Sequence, residues 1–267
     1  MSVPIAILAG TGALPVALAE AQPDALCLAF DTPDARIADR AEPHRLEKLG
    51  AAFDRLRAAG VGDVVLAGSI KPRLDPAALD PLMQAEAPAL LAALAQGDDA
   101  VLRAVIALIE RQGFRVRGAH EVAGGLTLAA GAASVAEPDP VARNDIARAR
   151  AILAALGPLD VGQAAVVAQG RCLGIETLQG TEALLSFVAA TDPARRPQAP
   201  GVLVKAPKPG QDLRVDMPAI GPDTVHQARA AGLAGIAVTA GQTLVLDRAR
   251  LDAALTETGL FLWADAP

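Results

Sequence analysis

The chain contains few aromatic side chains, and their scarcity limits the partners that it can bind. Phe, Trp and Tyr together make up 2% of the 267 residues, and the net charge is -6 at pH 7. A protein that binds nucleic acid normally shows a basic face or aromatic side chains on which bases stack. The composition therefore argues against nucleic acid as a partner and favours a small molecule.

Cysteine and histidine are scarce as well. The two cysteines, Cys27 and Cys172, each lie in a short apolar run typical of a strand, so we expect both to be core residues in a reducing compartment, without a structural disulfide. The three histidines lack the spacing of metal ligands, and neither cysteine has a histidine nearby in sequence. Ser69 lacks the G-x-S-x-G pattern of a nucleophile elbow. These absences argue against a cysteine or serine nucleophile.

Long uninterrupted apolar runs are also missing. The first nineteen residues carry no charge, but no Lys or Arg precedes the apolar run, and two prolines and two glycines interrupt it. This is not the pattern of a signal peptide. The charge-free stretches 122–136 and 230–246 are shorter than the about 20 residues of a membrane helix. We therefore expect no transmembrane segment.

The chain does show a regular alternation of strand and helix patterns. Short apolar runs alternate with longer helical patterns over residues 5–120, which predicts a parallel sheet with helices on its faces. A stretch rich in Gly, Ala and Pro, residues 124–140, marks a boundary, and a second alternating series follows it. We predict an α/β protein with two domains: an N-terminal Rossmann-like open parallel sheet over 1–130, and a C-terminal α/β domain with a mixed sheet over 131–267.

The individual elements follow from periodicity and from Gly and Pro positions. The predicted strands are 5–10, 26–31, 64–70, 114–120, two strands that meet at Gly170-Arg171, 201–205, 235–238, 243–246 and a terminal strand. The predicted helices begin near Pro15, span 44–59, 85–95, 97–112 and 141–156, begin at Thr181, and span 224–231 and 248–258.

The segment 201–222, GVLVKAPKPGQDLRVDMPAIGP, concentrates charged side chains among prolines, and we place it in the second domain. If residues 211–217 are extended, Asp212, Arg214 and Asp216 share one side of the strand. Two converging carboxylates suit Mg²⁺, with Mn²⁺ as a substitute. The alternative is a half-buried strand with a salt-bridged outer face.

Three cations of the same segment, Lys205, Lys208 and Arg214, suit the oxygens of a phosphate that the metal ion bridges. The prolines on either side of Lys208 stiffen the chain, which favours a preset binding loop. We therefore predict that the catalytic residues are Asp216, Asp212, Lys205, Lys208 and Arg214, and that the two aspartates hold the metal ion.

Gly10-Thr11-Gly12 follows a predicted strand and precedes a predicted helix, and Asp31 closes the next strand. This is part of the pattern of a dinucleotide-binding fold, but a third small residue is expected where the chain has Pro15. Two interpretations stay open, a phosphate contact through backbone amides and a tight structural turn.

Other candidate positions lie where strands end. Ser69 and Lys71 follow the predicted strand 64–70, at the edge of an open sheet where ligands usually bind. Gly180 and Thr181 begin a helix after Glu176, so their amides suit either an anion or a helix cap. Asp98 and Asp99 favour a helix cap over a metal site, and with Glu176 they are the alternatives to the 212–216 carboxylates.

Several motifs together carry a resemblance that extends over nearly the whole chain. They are AILAGTGALP, DVVLAGSIKP, GDDAVLRAVI, DVGQAAVVAQG, IETLQGTEALL, GVLVKAPKPGQDLRVDMPAIGPDTV and AGLAGIAVTAG. The chain resembles the LpxI-type UDP-2,3-diacylglucosamine pyrophosphatases of lipid A biosynthesis in Gram-negative bacteria. The long motif around residues 211–218 is the most specific part of this resemblance.

The resemblance implies a two-domain cytoplasmic enzyme that hydrolyses the diphosphate of UDP-2,3-diacylglucosamine to UMP and 2,3-diacylglucosamine 1-phosphate with Mg²⁺, and that binds the lipid between its domains. Its partner is then a lipid-linked nucleotide sugar; transient contact with the inner membrane surface and a homo-oligomer are left open. The substrate-binding positions that we predict are Gly10, Thr11, Gly12, Ser69, Lys71, Gln211, Gly180, Thr181 and Thr224.

Two competing functions remain at this point. An NAD(P)-linked oxidoreductase would use Gly10, Gly12 and Asp31 as its dinucleotide site. A non-catalytic nucleotide-binding module would need the glycine turn alone.

Overall fold

The chain folds into two compact units, which a computed structural model describes for residues 4–70, 74–134 and 136–267. The first unit comprises the chain up to Gly124 together with Asp212–Asp216. The second unit comprises Gly125–Gln211 and Met217–Pro267. The domain limits 1–130 and 131–267 stay a prediction, but the structure differs from that division at Asp212–Asp216. These five residues group with the first unit because Val215 packs against its core.

The first unit alternates strands and helices in chain order. Its strands are β1 (Ile5–Ala9), β2 (Leu26–Ala29), β3 (Ala41–Pro43), β4 (Asp63–Ala67) and β5 (Arg115–Val116). Its helices are α1 (Ala13–Ala21), α2 (Leu49–Ala58), α3 (Pro81–Leu94), α4 (Asp98–Arg111) and α5 (Ala119–Val122).

The strands of the first unit form a parallel sheet in the order β3-β2-β1-β4-β5. The order reverses direction beside β1, because β2 lies on one side of this strand and β4 on the other. Such a reversal opens a crevice at the carboxyl ends of the two flanking strands. The prediction of a Rossmann-like open parallel sheet is confirmed.

The core of the first unit forms between the sheet and helices α2 and α4. It contains Ala6 and Leu8 of β1, Phe53 of α2 and Ile109 of α4, all buried. The scarce aromatic residues contribute here, because the rings of Phe53 and Phe114 stack with their centroids 5.7 Å apart. Strands buried on both faces appear in the sequence as nearly continuous apolar runs, which is why β1, β2 and β4 were predictable.

Two predictions for the first unit were wrong in detail. The predicted strand 114–120 is confined to β5, and its last two residues already belong to α5. The predicted helix 85–95 begins earlier, at Pro81, because the Asp80 carboxylate accepts a hydrogen bond from the Met83 amide and caps the helix. Proline at the first helical position fits this start, since its missing N–H is not needed there.

The second unit begins with a short strand ahead of its first α-helix and ends on a strand. Its strands are β6 (Gly131–Ala132), β7 (Ala164–Ala168), β8 (Arg171–Ile175), β9 (Val202–Lys205), β10 (Ala219–Ile220), β11 (Gly235–Thr239), β12 (Leu244–Val245) and β13 (Phe261–Asp265). Its helices are α6 (Pro140–Leu156), α7 (Gly180–Ala189), α8 (Pro222–Ala230) and α9 (Arg248–Thr258).

The main sheet of the second unit has the order β6-β13-β11-β9-β7-β8. Strands β13, β11 and β9 are parallel, whereas β6, β7 and β8 pair antiparallel with their neighbours, so the predicted mixed sheet is confirmed. Both faces are buried: Val202 and Val204 pack with α6, and Leu203 packs on the side of α8 and α9. A small parallel pair, β10 and β12, lies outside this sheet.

The hairpin between β7 and β8 forms where the sequence predicted it. Gln169 and Gly170 both adopt left-handed backbone conformations, with φ of 49° and 75°. Their backbone amides donate to the buried carboxylate of Asp145 at 2.9 and 2.6 Å.

The expectation that both cysteines are core residues is half right. Cys27 is buried in the first unit, but Cys172 is exposed on β8, where the sheet ends. Both cysteines are unbridged, as predicted.

The loops that follow β1 and β4 cross each other closely. Thr11 and Ser69 pair through both backbone amides, at 2.8 and 3.0 Å. A Cβ atom added at Gly68 would overlap the Thr11 carbonyl oxygen, and one added at Gly10 would overlap that of Ser69. Glycine at these two positions therefore allows the backbones to approach as they do.

This crossing predicts unequal effects of alanine at two left-handed glycines. Gly68 has φ of 83° and is crowded, whereas Gly60 has φ of 67° and no neighbouring atom within 4 Å of an added Cβ. Gly68→Ala should lower the free energy of unfolding by about 3 kcal/mol, because the strain of a left-handed alanine and a steric clash add. Gly60→Ala should lower it by about 1 kcal/mol, because only the strain applies. Urea unfolding of both variants measures the difference, and equal losses would show that the crossing is not tightly packed.

Candidate active site

The charged segment around Asp212 is a turn and not a strand. The amides of Val215 and Asp216 both donate to the Asp212 carbonyl oxygen, each at 3.2 Å. The expected alternation of side chains over 211–217 was therefore wrong, because alternation requires an extended backbone. We call these residues, Asp212–Asp216, the acidic turn. It brings its first and last residues together through a backbone hydrogen bond.

Within the acidic turn, the Asp212 carboxylate is engaged by Arg214. Oδ1 accepts from the amide and from Nε of Arg214, both at 3.0 Å. Oδ2 accepts from Nε at 3.2 Å and from Nη2 at 2.7 Å. The Nε group has one proton, which the two oxygens share, so three N–H groups of Arg214 donate to this carboxylate and occupy most of its about four acceptor positions.

The two charges stabilise each other. Hydrogen bonds from the Arg214 side chain lower the pKa of the Asp212 carboxyl below its ordinary value, against the opposing effect of partial burial. The same carboxylate raises the pKa of the Arg214 guanidinium above its ordinary value. Both groups are therefore charged at neutral pH.

The acidic turn is attached to the first unit by contacts that the sequence did not suggest. Arg214 Nη1 donates to Oε1 of Glu110, on α4, at 2.8 Å. Val215 packs against the first core. A Cβ atom added at Gly118 would lie 2.7 Å from Nδ1 of His120 and 3.4 Å from the Arg214 Cα, so glycine allows this approach. His120 Nδ1 is buried and has no hydrogen-bond partner among the described residues.

The acidic turn contains the residues predicted to bind a metal ion. In the described ranges, no three side chains of His, Cys, Asp or Glu are grouped in a way that would hold one. Mg²⁺ commonly binds through one or two carboxylates and completes its shell with water and substrate phosphates, so a larger group is not required. Both oxygens of the Asp212 carboxylate accept hydrogen bonds from Arg214, which makes this group the weaker candidate for a direct ligand. Asp216, half-buried at the end of the turn, has the donor chemistry that Mg²⁺ prefers.

At the carboxyl end of β1, the predicted phosphate contacts are partly used inside the protein. The Gly10 amide donates to Ala67 O at 2.8 Å, and the Thr11 amide donates to Ser69 O. The Thr11 hydroxyl also donates to Ser69 O, at 3.1 Å. Gly12, with φ of 103°, precedes the first turn of α1. These two paired amides cannot bind a dinucleotide pyrophosphate, which weakens the oxidoreductase interpretation.

Three further positions considered in this unit are Lys71, Asp98 and Asp99. Lys71 lies outside the described residues. Asp98 and Asp99 are in the first turn of α4, and Asp99 forms an ion pair with Arg103, one helical turn further on. The predicted helix cap was wrong in detail, because the residue that caps α4 is Gly97 and both aspartates lie inside the helix.

In the second unit, the predicted cation Lys205 lies at the end of β9 with its side chain 9% exposed. Its ammonium donates to Thr181 Oγ1 at 2.8 Å and to Ala219 O at 3.1 Å. The Thr181 hydroxyl in turn donates to Oε1 of Glu176. The structure therefore brings Lys205 and Thr181 together, as the prediction of a common site requires.

The second cation, Lys208, is held in the loop that follows β9. Its ammonium forms an ion pair with Asp160, and its amide donates to Gln211 Oε1 at 2.8 Å. Pro209 packs so closely on Gly157 that a Cβ atom at that position would overlap its ring. The predicted preset loop is thus fixed by a side chain, Asp160, that lies 48 residues away in sequence.

The remaining predicted positions of the second unit support helix starts. Thr224 Oγ1 accepts a hydrogen bond from the Gly221 amide at 3.3 Å, as part of the cap of α8. Gly180 has φ of 85° and begins α7. Both positions have a structural use, and a role in substrate binding stays a prediction for each.

Comparisons with known proteins extend over the whole chain. The family model described as the LpxI N-terminal domain matches residues 4–126, and the model described as the LpxI C-terminal domain matches residues 129–263. The chain is 41% identical over 272 aligned positions to the UDP-2,3-diacylglucosamine pyrophosphatase LpxI of Caulobacter vibrioides. The alignment covers 97% of this chain and 96% of that relative.

The geometry of the acidic turn predicts how the Asp212 carboxyl titrates. Arg214→Lys removes the planar fork, so the pKa of Asp212 should rise toward its ordinary value. A carboxyl with a lowered pKa stabilises the fold above its ordinary pKa, and this contribution is lost as the pH falls through the lowered value. As the pH falls from the ordinary carboxyl range through the lowered pKa, the variant should therefore lose less stability than the parent.

Carboxyl ¹³C chemical shifts measured against pH would follow this titration directly. Asp34 provides an internal control, because Arg36 binds it through the same two-residue spacing and lowers its pKa to about 2. Asp34 should titrate identically in both proteins. An unchanged Asp212 titration in Arg214→Lys would contradict the geometry described above.

Proposed function

The chain belongs to the LpxI family, and on that premise we propose that it hydrolyses the diphosphate of UDP-2,3-diacylglucosamine to UMP and 2,3-diacylglucosamine 1-phosphate in lipid A biosynthesis. The observation that carries this proposal is similarity along the full chain to a pyrophosphatase of that name. Both family domains are matched, so the activity of the whole relative is the relevant comparison.

The described side chains supply chemistry that suits a diphosphate. Lys205, Lys208 and Arg214 are cations, and each is held by an acidic partner within its own unit. A cation that is already fixed in place stabilises developing negative charge without having to reorient during the reaction. We propose that these three groups bind the phosphate oxygens and take up charge as the anhydride bond breaks.

We further propose that Asp216 holds Mg²⁺, with Mn²⁺ as a substitute. When bound, such an ion neutralises the diphosphate and activates a water molecule for attack on phosphorus. Asp212 suits a different purpose, because Arg214 engages both of its carboxylate oxygens. We assign Asp212 to positioning: its carboxylate holds Arg214, and its backbone carbonyl accepts the hydrogen bonds that close the turn carrying Asp216.

The lipid part of the substrate bears on the location of the protein. We propose a cytoplasmic enzyme that makes transient contact with the inner membrane surface, because a diacylated sugar nucleotide partitions into lipid. In the described part of the chain, no helix has the length and apolarity needed to cross a membrane. The side chains of Leu91 and Leu94, both on α3, are exposed and suit such a contact. A homo-oligomer stays a prediction.

Metal dependence gives the first test of this mechanism. Incubation with EDTA should abolish turnover of UDP-2,3-diacylglucosamine, because the diphosphate then lacks its counter-ion. Added Mg²⁺ or Mn²⁺ should restore the turnover. Circular dichroism in EDTA controls for unfolding. Undiminished turnover by a folded protein in excess EDTA would refute the metal-assisted mechanism but leave the hydrolase assignment in place.

The two carboxylates of the acidic turn should differ in their effects. Asp216→Asn should lower kcat by about 100-fold or more with little change in KM, as expected for a group that acts mainly in the transition state. Asp212→Asn should lower kcat by about tenfold, because it loosens a group that orients others. Turnover of the purified variants, with unfolding curves as the folding control, measures both.

Asp34→Asn is the matched control for this comparison. It removes the same kind of local carboxylate–arginine contact from the same unit, outside the acidic turn, and should leave kcat unchanged. Near-parental kcat in both Asp216→Asn and Asp212→Asn would move the catalytic assignment to another carboxylate. The candidates would then be Glu176, Asp98 and Asp99.

A further inference from the structure

A chain of three side chains in the second unit places an acidic residue behind the proposed phosphate-binding lysine. Lys205 donates to Thr181, and Thr181 donates to Glu176. The Lys205 and Glu176 side chains are only 9% and 13% exposed, and their charged atoms are 4.0 Å apart. Burial disfavours a charged ammonium unless a counter-charge and hydrogen bonds compensate, and this arrangement supplies both.

Glu176 is fixed at both of its carboxylate oxygens. Oε2 accepts from the Gln163 amide at 2.9 Å, and Oε1 accepts from the Thr181 hydroxyl. The backbone is fixed as well, because a Cβ atom at Gly162 would overlap the Glu176 carbonyl oxygen. The carboxylate therefore has a defined position from which it can orient its neighbours.

The direction of the hydrogen bonds defines the part that Thr181 plays. A hydroxyl has one proton, and Thr181 gives it to Glu176 while a lone pair receives the Lys205 ammonium. In this arrangement Thr181 has no proton left for a phosphate oxygen. Its position in the site is better explained as a bridge between the acid and the lysine than as a donor to the substrate.

We propose that Glu176 is a positioning residue that, through the Thr181 hydroxyl, holds the Lys205 ammonium in the orientation used to bind the diphosphate. This inference rests on the role proposed above for Lys205. A buried ion pair contributes little net stability compared with apolar side chains of similar size, so stability alone is a weak reason for one here. The pair between Lys208 and Asp160 differs, since Asp160 is 39% exposed and bonds directly to its lysine.

A double-mutant cycle tests whether Glu176 acts through Lys205. Lys205→Met should lower kcat/KM by about 100-fold, as for the loss of a group that stabilises transition-state charge. Glu176→Gln should lower kcat/KM by about tenfold in the parent and have almost no effect in the Lys205→Met background, because residues in one network are not additive. A merely structural Glu176 would give additive losses.

Two variants of Thr181 test the bridge separately. Thr181→Ser keeps the hydroxyl and should retain kcat/KM within about twofold, whereas Thr181→Val keeps the shape and should lose about tenfold, because residues in direct contact couple by that much. Glu182→Gln is the matched control, since it removes one negative charge from the exposed side of the same helix turn, and it should behave as the parent. Equal activity of the Ser and Val variants would refute the bridge.

Unfolding curves and the cycle together separate the two assignments. If folded Lys205→Met had parental kcat/KM, the proposed role of Lys205 would be wrong and the inference would fall with it. If Lys205→Met were impaired while Glu176→Gln was folded and fully active, the role of Lys205 would stand and only the inference would be wrong. Additive losses in the double variant Lys205→Met, Glu176→Gln would likewise leave the role of Lys205 in place and refute the inference.

Discussion

The bond between Arg214 and the Asp212 carboxylate determines the local structure of the most specific motif in the chain. It lies within a turn, closed by backbone hydrogen bonds, where a strand was expected, and it engages a carboxylate that otherwise suits a metal ion. The same guanidinium reaches Glu110 and so attaches the turn to the first unit. The different roles proposed for Asp212 and Asp216 rest on this interaction, because Arg214 engages both oxygens of the Asp212 carboxylate.

The sequence predicted those elements whose side chains carry a strong local signal. The buried strands of both sheets appear as continuous apolar runs, and the hairpin at Gln169-Gly170 has the left-handed residues that a short turn needs. Strands β3, β6 and β10 are only two or three residues long, which is too short for a period. Such short strands form only because a neighbouring strand pairs with them, so tertiary contacts determine whether they are present.

The candidate site was predictable in its residue types but not in its partners. Lysines, an arginine and aspartates among prolines indicated phosphate chemistry, and the structure gives each cation an acidic partner. Those partners are far away in sequence: Glu110 lies 104 residues from Arg214 and Asp160 lies 48 from Lys208. No period or motif indicates such pairs, because they depend on how distant elements pack. The turn at Asp212 was missed for a local reason, since Asp hydrogen-bonds readily to backbone two residues on.

Pairing each cation with an acid has a consequence for how a diphosphate would be bound. A group of unpaired cations would repel one another and would be mobile, so binding would have to overcome both effects. Paired cations are fixed beforehand, but each then shares its charge with a carboxylate, which weakens its attraction for the ligand. Burial offsets that loss for Lys205, because charges interact more strongly where water is excluded. For the buried Lys205, a fixed acidic partner therefore orients the ammonium with the smallest loss of attraction for the diphosphate. By this argument Glu176 contributes more to diphosphate binding than Asp160 does.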